Sequence, residues 1–253
     1  MKKISFAIFM LCFTIIEVFA QEQITLSRFQ GQKITGIEAH GIFNIIAKQG
    51  TSTGVTVNIP ARLEKQLVLR LNPDGKLQIY IEGKTTNKDR KNNDDDHFMA
   101  EVIVSSLNNI ELTGVCKIET IGDFITNKLK VNLSGVSKML INGDFLVKEK
   151  LEIELSGASN LTLKGNTARC KIEVSGTSKA ALNDFPINEL KAEVSGAAKA
   201  QFQVKEKIRL HTSGISKVTY SGDPIVLSLH SSGASNINKI SSKSFETKKK
   251  YEK

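Results

Sequence analysis

The chain has no tryptophan, and aromatic residues fill only 6% of its 253 positions. Bulky rings dominate the energetics of deep cores. Their scarcity, beside abundant Gly, Ser and small apolar residues, points to a narrow and regularly stacked interior. Cysteine and histidine are scarce as well, at three and four residues. Once an export segment is removed only Cys116 and Cys170 remain, too few with four histidines to build a zinc pattern. No metal and no other cofactor is expected. The two thiols occupy different places in the repeat described below, so a bridge between them is not favoured, although an oxidising compartment permits one.

Long apolar runs are also missing, except at the start. Met1-Lys2-Lys3 is a short positive opening, positions 4–16 are almost wholly apolar, and Val18-Phe19-Ala20 puts small residues where a signal peptidase reads. Residues 1–20 are read as a signal peptide cleaved before Gln21. A spanning helix needs about 20 apolar residues, and Glu17 closes this run too early. Phe9-Met10-Leu11-Cys12 lacks the small residue expected before a lipidated cysteine. The mature chain is therefore expected to have no transmembrane segment and to reside in the periplasm, on the outer membrane surface or outside the cell. Losing Lys2, Lys3 and Glu17 takes the formal charge from +9 to about +8.

What the sequence does have is a repeat. Gly114, Gly135, Gly157, Gly176, Gly196, Gly214 and Gly233 recur at spacings of 18 to 22 residues. Six follow Ser134, Ser156, Ser175, Ser195, Ser213 and Ser232, and Gly114 follows Thr113. Four positions before the glycine stand Ile110, Val131, Ile153, Ile172, Ala192, Leu210 and Leu229. Two positions before it stand Leu112, Leu133, Leu155, Val174 and Val194, then Thr212 and Ser231. Polar residues lie between, so the run alternates as a strand with one buried face. The fourth position after the glycine is apolar again, from Ile118 to Ile237. A second turn follows at Gly122-Asp123, Asn142-Gly143-Asp144, Asn183-Asp184 and Gly222-Asp223-Pro224.

A unit this small cannot bury its apolar face alone; units stacked in register can. The pattern predicts an all-β, right-handed parallel β-helix (a solenoid) of about 20-residue coils, the hand following parallel β connections. Coils about 4.8 Å apart would make a rod of roughly 30 Å from the repeats. The seven glycines are corner residues, since a sharp bend commonly needs positive φ. Residues 21–104 read as a less regular β region that caps the stack or forms its first coils, 105–240 as the repeats, and 241–253 as a disordered Lys-rich tail. Within the first region 83–97 is a polar loop.

Phe43-Asn44-Ile45, Gly50, Val55-Thr56-Val57 and Gly75-Lys76-Leu77-Gln78-Ile79 resemble the start of a head GIN domain. Leu-Ser-Gly-Val-Ser-Lys at 133–138, with its counterparts at 155–160 and 174–179, resembles that family's repeats. The resemblance covers about residues 37–237. It implies an exported adhesin-type β-helix protein of the envelope, chiefly of Bacteroidetes-type bacteria, with no catalytic residues to carry over.

Three columns could carry chemistry. The serines above, and a second set at Ser137, Ser159, Ser178, Ser216 and Ser235, tempt a nucleophile reading. A catalytic serine is a single residue beside a base, whereas repetition at equivalent sites argues for hydroxyl ladders at a corner. Three positions before the glycine, Glu111, Glu154, Glu173 and Glu193 spread along a line, while calcium needs oxygens converging on a point. Asp94-Asp95-Asp96-His97 lacks the spacing of a calcium loop. Three positions after the glycine, Lys117, Lys138, Lys179, Lys199 and Lys217 alternate with Asn160 and Asn236. Stacking makes them one stripe, either a solvated edge that discourages aggregation or an electropositive track for an acidic polysaccharide or envelope component. Nucleic acid is not expected as a partner, because the lysines are not interleaved with stacking aromatics. The expected function is non-catalytic binding or structural presentation of a repetitive surface; the alternative is a polysaccharide lyase or hydrolase on the same scaffold.

Overall fold

The computed structural model describes residues 23–83 and 98–241. The export segment, the stretch 84–97 with its Asp94–His97 cluster, and the tail from 242 onward lie outside the described residues. Everything described is strand and turn apart from one 3-10 segment, Ala61–Gln66.

The repeats wind as a parallel β-solenoid. In the first of them β8 (Asn109–Gly114) leads into the glycine corner, β9 (Lys117–Ile121) leaves it, and β10 (Phe124–Gly135) turns back to the next corner. Val131, Leu133 and Gly135 of β10 stand directly on Ile110, Leu112 and Gly114 of β8. Next come β11 (Lys138–Asn142) and β12 (Phe145–Leu155), then β13 (Asn160–Val174), β14 (Lys179–Val194) and β15 (Lys199–Thr212). The last coils are β16 (Lys217–Ser221), β17 (Ile225–Ser231) and β18 (Asn236–Ile240). The alternation explains why these residues form strands: every second side chain enters a shared interior. From Ile110 to Leu210 the column four positions before the glycine is at most 2% exposed.

Two features depart from the sequence reading. Each coil has three sides, not two: Phe124–Thr126 pair with Phe145–Val147 as a short side, and the ladder shifts before Lys128 and Lys150 resume it. In β13, β14 and β15 no strand break marks the second turn, whereas Gly222-Asp223-Pro224 still separates β16 from β17. Asn183-Asp184 lies inside β14, where a register shift between Leu182 and Pro186 takes the bend.

The solenoid also begins earlier than the Ser-Gly motif suggests. In β2 (Gly36–Gly41) and β3 (Phe43–Gln49), Ile37, Ala39 and Gly41 stand on Ile110, Leu112 and Gly114, and Ile45 stands on Ile118. Gly41 is thus the first of eight stacked corner glycines, giving about seven turns. The next coil in space is out of sequence order. β6 (Lys76–Ile81) and β7 (Phe98–Val104) lie parallel on the outer edges of β2 and β3, while β8 and β9 take the inner edges. Antiparallel strands then close this end: β5 (Leu67–Leu71) pairs with β6, β4 (Gly54–Pro60) with β7, and β1 (Gln23–Arg28) with β4. Covering a sheet edge in this way withdraws its unpaired backbone from solvent.

A polar network locks the out-of-order coil. Glu38 on β2 receives Lys76 Nζ at 2.8 Å, His40 Nε2 at 2.8 Å and Gln78 Nε2 at 3.3 Å. Burial pushes the Glu38 carboxyl up, but these hydrogen bonds and the Lys76 charge outweigh it and hold the group at about 2. A depressed carboxylate stabilises the fold above the unfolded-state range near 4 and loses that contribution as pH falls through about 2. Glu38→Gln should therefore cost about 1–2 kcal/mol at neutral pH after allowance for screening. It should also flatten the acid limb of stability between about pH 5 and 2, which urea unfolding across that range would measure.

Candidate ligand-binding surface

Each corner closes alike. The N–H after the glycine donates to the carbonyl of the preceding corner glycine at 2.7–2.8 Å, from Val115 on Gly41 to Ala234 on Gly214. The serines two positions after the glycine point inward, with Ser137, Ser159, Ser178 and Ser216 at most 1% exposed. Ser137 Oγ donates to the Ser134 carbonyl at 2.8 Å, Ser159 Oγ to Ser156 at 2.9 Å, and Ser216 Oγ to Ser213. These hydroxyls fasten the bend to its own backbone and make no nucleophile–base pair. Cys116 takes the same place in its coil, its Sγ 3.5 Å from both the Thr113 and Gly41 carbonyl oxygens. Cys116 and Cys170 are free and buried, and burial pushes both thiols up. In the last coils Thr212, fully buried, donates to Ser235 Oγ at 2.9 Å, so the polar end of an otherwise apolar column is satisfied.

On the side entering the corner, four lysines meet glutamates. Lys150 meets Glu152 at 2.5 Å, Lys171 meets Glu173 at 2.8 Å, Lys191 meets Glu193 at 3.4 Å and Lys207 meets Glu189 at 2.7 Å. His211 and His230 continue the glutamate column as exposed, stacked rings with centroids 5.9 Å apart. No group of three or more His, Cys, Asp or Glu side chains able to hold a metal ion occurs among the described residues.

The side leaving the corner differs. Asn44, Lys117, Lys138, Asn160, Lys179, Lys199, Lys217 and Asn236 are paired in unbroken register, one rung after another. Rungs of a sheet are about 4.8 Å apart. Lys117 has a carboxylate nearby, Glu119 at 3.7 Å. Lys138, Lys179, Lys199 and Lys217 are exposed and form no ion pair among the described residues. Beside the last three run Ala181, Gln201 and Thr219, which with them line a shallow open groove. A line of ammonium groups over small, uncharged side chains suits an extended anion better than a compact one.

A further column beside this stripe was not anticipated from the sequence. The residue after each corner glycine is mostly apolar and, except for the half-buried Ala158, exposed: Ile42 (43%), Val115 (55%), Val136 (59%), Thr177, Ala197, Ile215 (73%) and Ala234. Alignment on the glycines displays this column, but apolar columns were expected inside. The corner turns this one outward as a crest two positions from the lysines.

No helix among the described residues is long and apolar enough to cross a membrane. No curated protein shows significant similarity to the chain. Among solved structures, a putative adhesin from Bacteroides fragilis superposes with a TM-score of 0.78 at 20% identity, covering 87% of this chain and 98% of its own. A putative adhesin from Parabacteroides merdae gives 0.61 at 15% identity, with 87% and 97% covered. A putative lipid binding protein from Parabacteroides distasonis gives 0.62 at 17%, with 87% and 98% covered. At these identities the likeness concerns the fold. The family model described as "Putative auto-transporter adhesin, head GIN domain" matches residues 33–224, most of the chain and nearly the whole solenoid. The chain therefore belongs to the head GIN domain family.

Proposed function

We propose that the protein is an exported, non-catalytic binding module that holds an acidic polysaccharide, or a comparable anionic polymer of the envelope, along its lysine stripe. The observation that carries this reading is the register ladder of Lys138, Lys179, Lys199 and Lys217, broken only by Asn160 and without a carboxylate partner, whereas several lysines on the side entering the corner meet glutamates. Like charges about 5 Å apart repel by roughly 0.8 kcal/mol per pair even in water. A polyanion would relieve that repulsion as it binds, and the apolar crest beside it offers contact to the less polar faces of sugar rings. Family membership and the adhesin-type neighbours support attachment as the purpose.

The test is retention on immobilised polygalacturonate beside neutral dextran. The protein should be held by the first alone and released as salt rises toward 1 M, where the screening length falls to about 3 Å. Replacing all four lysines by glutamate should reduce retention to the dextran level. Unchanged retention would remove the stripe from the explanation, and new reducing or unsaturated ends in the polymer would mark an enzyme instead.

A further inference from the structure

The two ends of the solenoid are finished differently. At the start, β5 and β4 lie antiparallel on the first coil, and Leu77, Ile79, Ala100 and Val102 beneath them are at most 1% exposed. At the other end β17 and β18 are the last rungs, and no described strand follows them. The interior columns surface there. Ile208 is 0% exposed, while Val226, which stands on it, is 49% exposed; Leu210 is 2% exposed, while Leu229 above it is 38%. Leu227 is 47% exposed and Ile225 is 66%.

This edge also lacks the charges that protect sheet edges from one another. β17, Ile-Val-Leu-Ser-Leu-His-Ser, carries no Lys, Arg, Asp or Glu. In β18 the one charge is Lys239, and Asp223 neutralises it at 2.6 Å. A segment of high β propensity, low charge and no proline is one that pairs readily. On a chain with an excess of positive charge, edge strands that carry no net charge of their own are where two copies can approach with least repulsion.

We propose that this end is an interface between two copies of the chain, joined tip to tip about a two-fold axis. A two-fold operator perpendicular to the solenoid reverses the winding of the second copy, so edge strands meet antiparallel. The same chemistry already closes the other end, where β4 and β5 add antiparallel to parallel coils. Two-fold contacts use one patch against itself, and an uncharged, apolar patch meets that requirement. The closed end offers no equivalent exposed interior, so association stops at two.

Sedimentation equilibrium of the purified protein over a broad concentration range tests this. Wild type should show twice the monomer mass. Val226→Lys with Leu227→Lys, at positions exposed in the monomer, should weaken association at least about thirtyfold while circular dichroism and melting stay close to wild type. Val136→Lys, at an exposed corner tip several rungs from the edge, controls for added charge and should leave the dimer intact. A wild-type monomer at all concentrations would overturn the proposal, as would a double variant that still dimerises or a series of masses beyond the dimer. A monomer that dimerises only after removal of 242–253 would also overturn it, making the chain's own tail the occupant.

Discussion

Gly196→Ala should lower the melting temperature by roughly 10 °C, whereas Gly31→Ala should lower it by only a few degrees. The two glycines share a backbone shape, with φ of +77° and +73°, that costs an L side chain about 1–2 kcal/mol. They differ in what surrounds them. A Cβ at Gly31 would meet nothing within 4 Å, but at Gly196 it would stand 2.6 Å from the Gly176 carbonyl oxygen and 3.0 Å from its nitrogen. That same oxygen accepts the Ala197 N–H at 2.8 Å, so the rungs cannot part without breaking the corner ladder. Overpacking of this kind adds about 1–3 kcal/mol, for a total of about 2–5 kcal/mol. Thermal unfolding of both variants separates conformational strain from close approach. Equal shifts would show that stacking contributes nothing to the need for glycine.

Phe145→Ala should cost about 3–5 kcal/mol, and Phe145→Leu much less. Phe145 is fully buried and its ring stacks on Phe124 with centroids 4.9 Å apart and planes 18° from parallel. Removing it opens a cavity in a column that has few other rings to collapse into it. A solenoid couples each coil mainly to its neighbours, so the damage should concentrate where Phe124 and Phe145 meet. Urea unfolding gives the total cost. Hydrogen exchange should show the largest loss of protection in β10 and β12, with β14 and β15 nearly unchanged. Uniform loss across all coils would contradict the nearest-neighbour picture.

Most of the repeating fold was legible because one physical requirement, burial at every second residue and a glycine at every corner, writes itself into the sequence once per coil. The lysine ladder followed from the same alignment, since equal positions in stacked coils must be neighbours in space. The Gly41 coil was not recognised, although Ile37, Ala39 and Ile45 satisfy the same columns, because His40 stands where the later coils have serine or threonine. Its neighbour in space is far away in sequence. The crest escaped for another reason: hydrophobicity alone does not say whether a residue at a corner turns in or out.

Periodicity by itself determined the solenoid, the corner glycines, the inward strand faces and the stripe of ammonium groups. Each of these depends on local alternation and on identical units meeting identical units. The tertiary structure alone decided the order in which the first coils stack, the antiparallel closure of one end and the bare apolar edge of the other. Those outcomes depend on which distant segment wins a given strand edge. The depression of Glu38 by Lys76, His40 and Gln78 arises in the same way, from groups brought together only by that stacking.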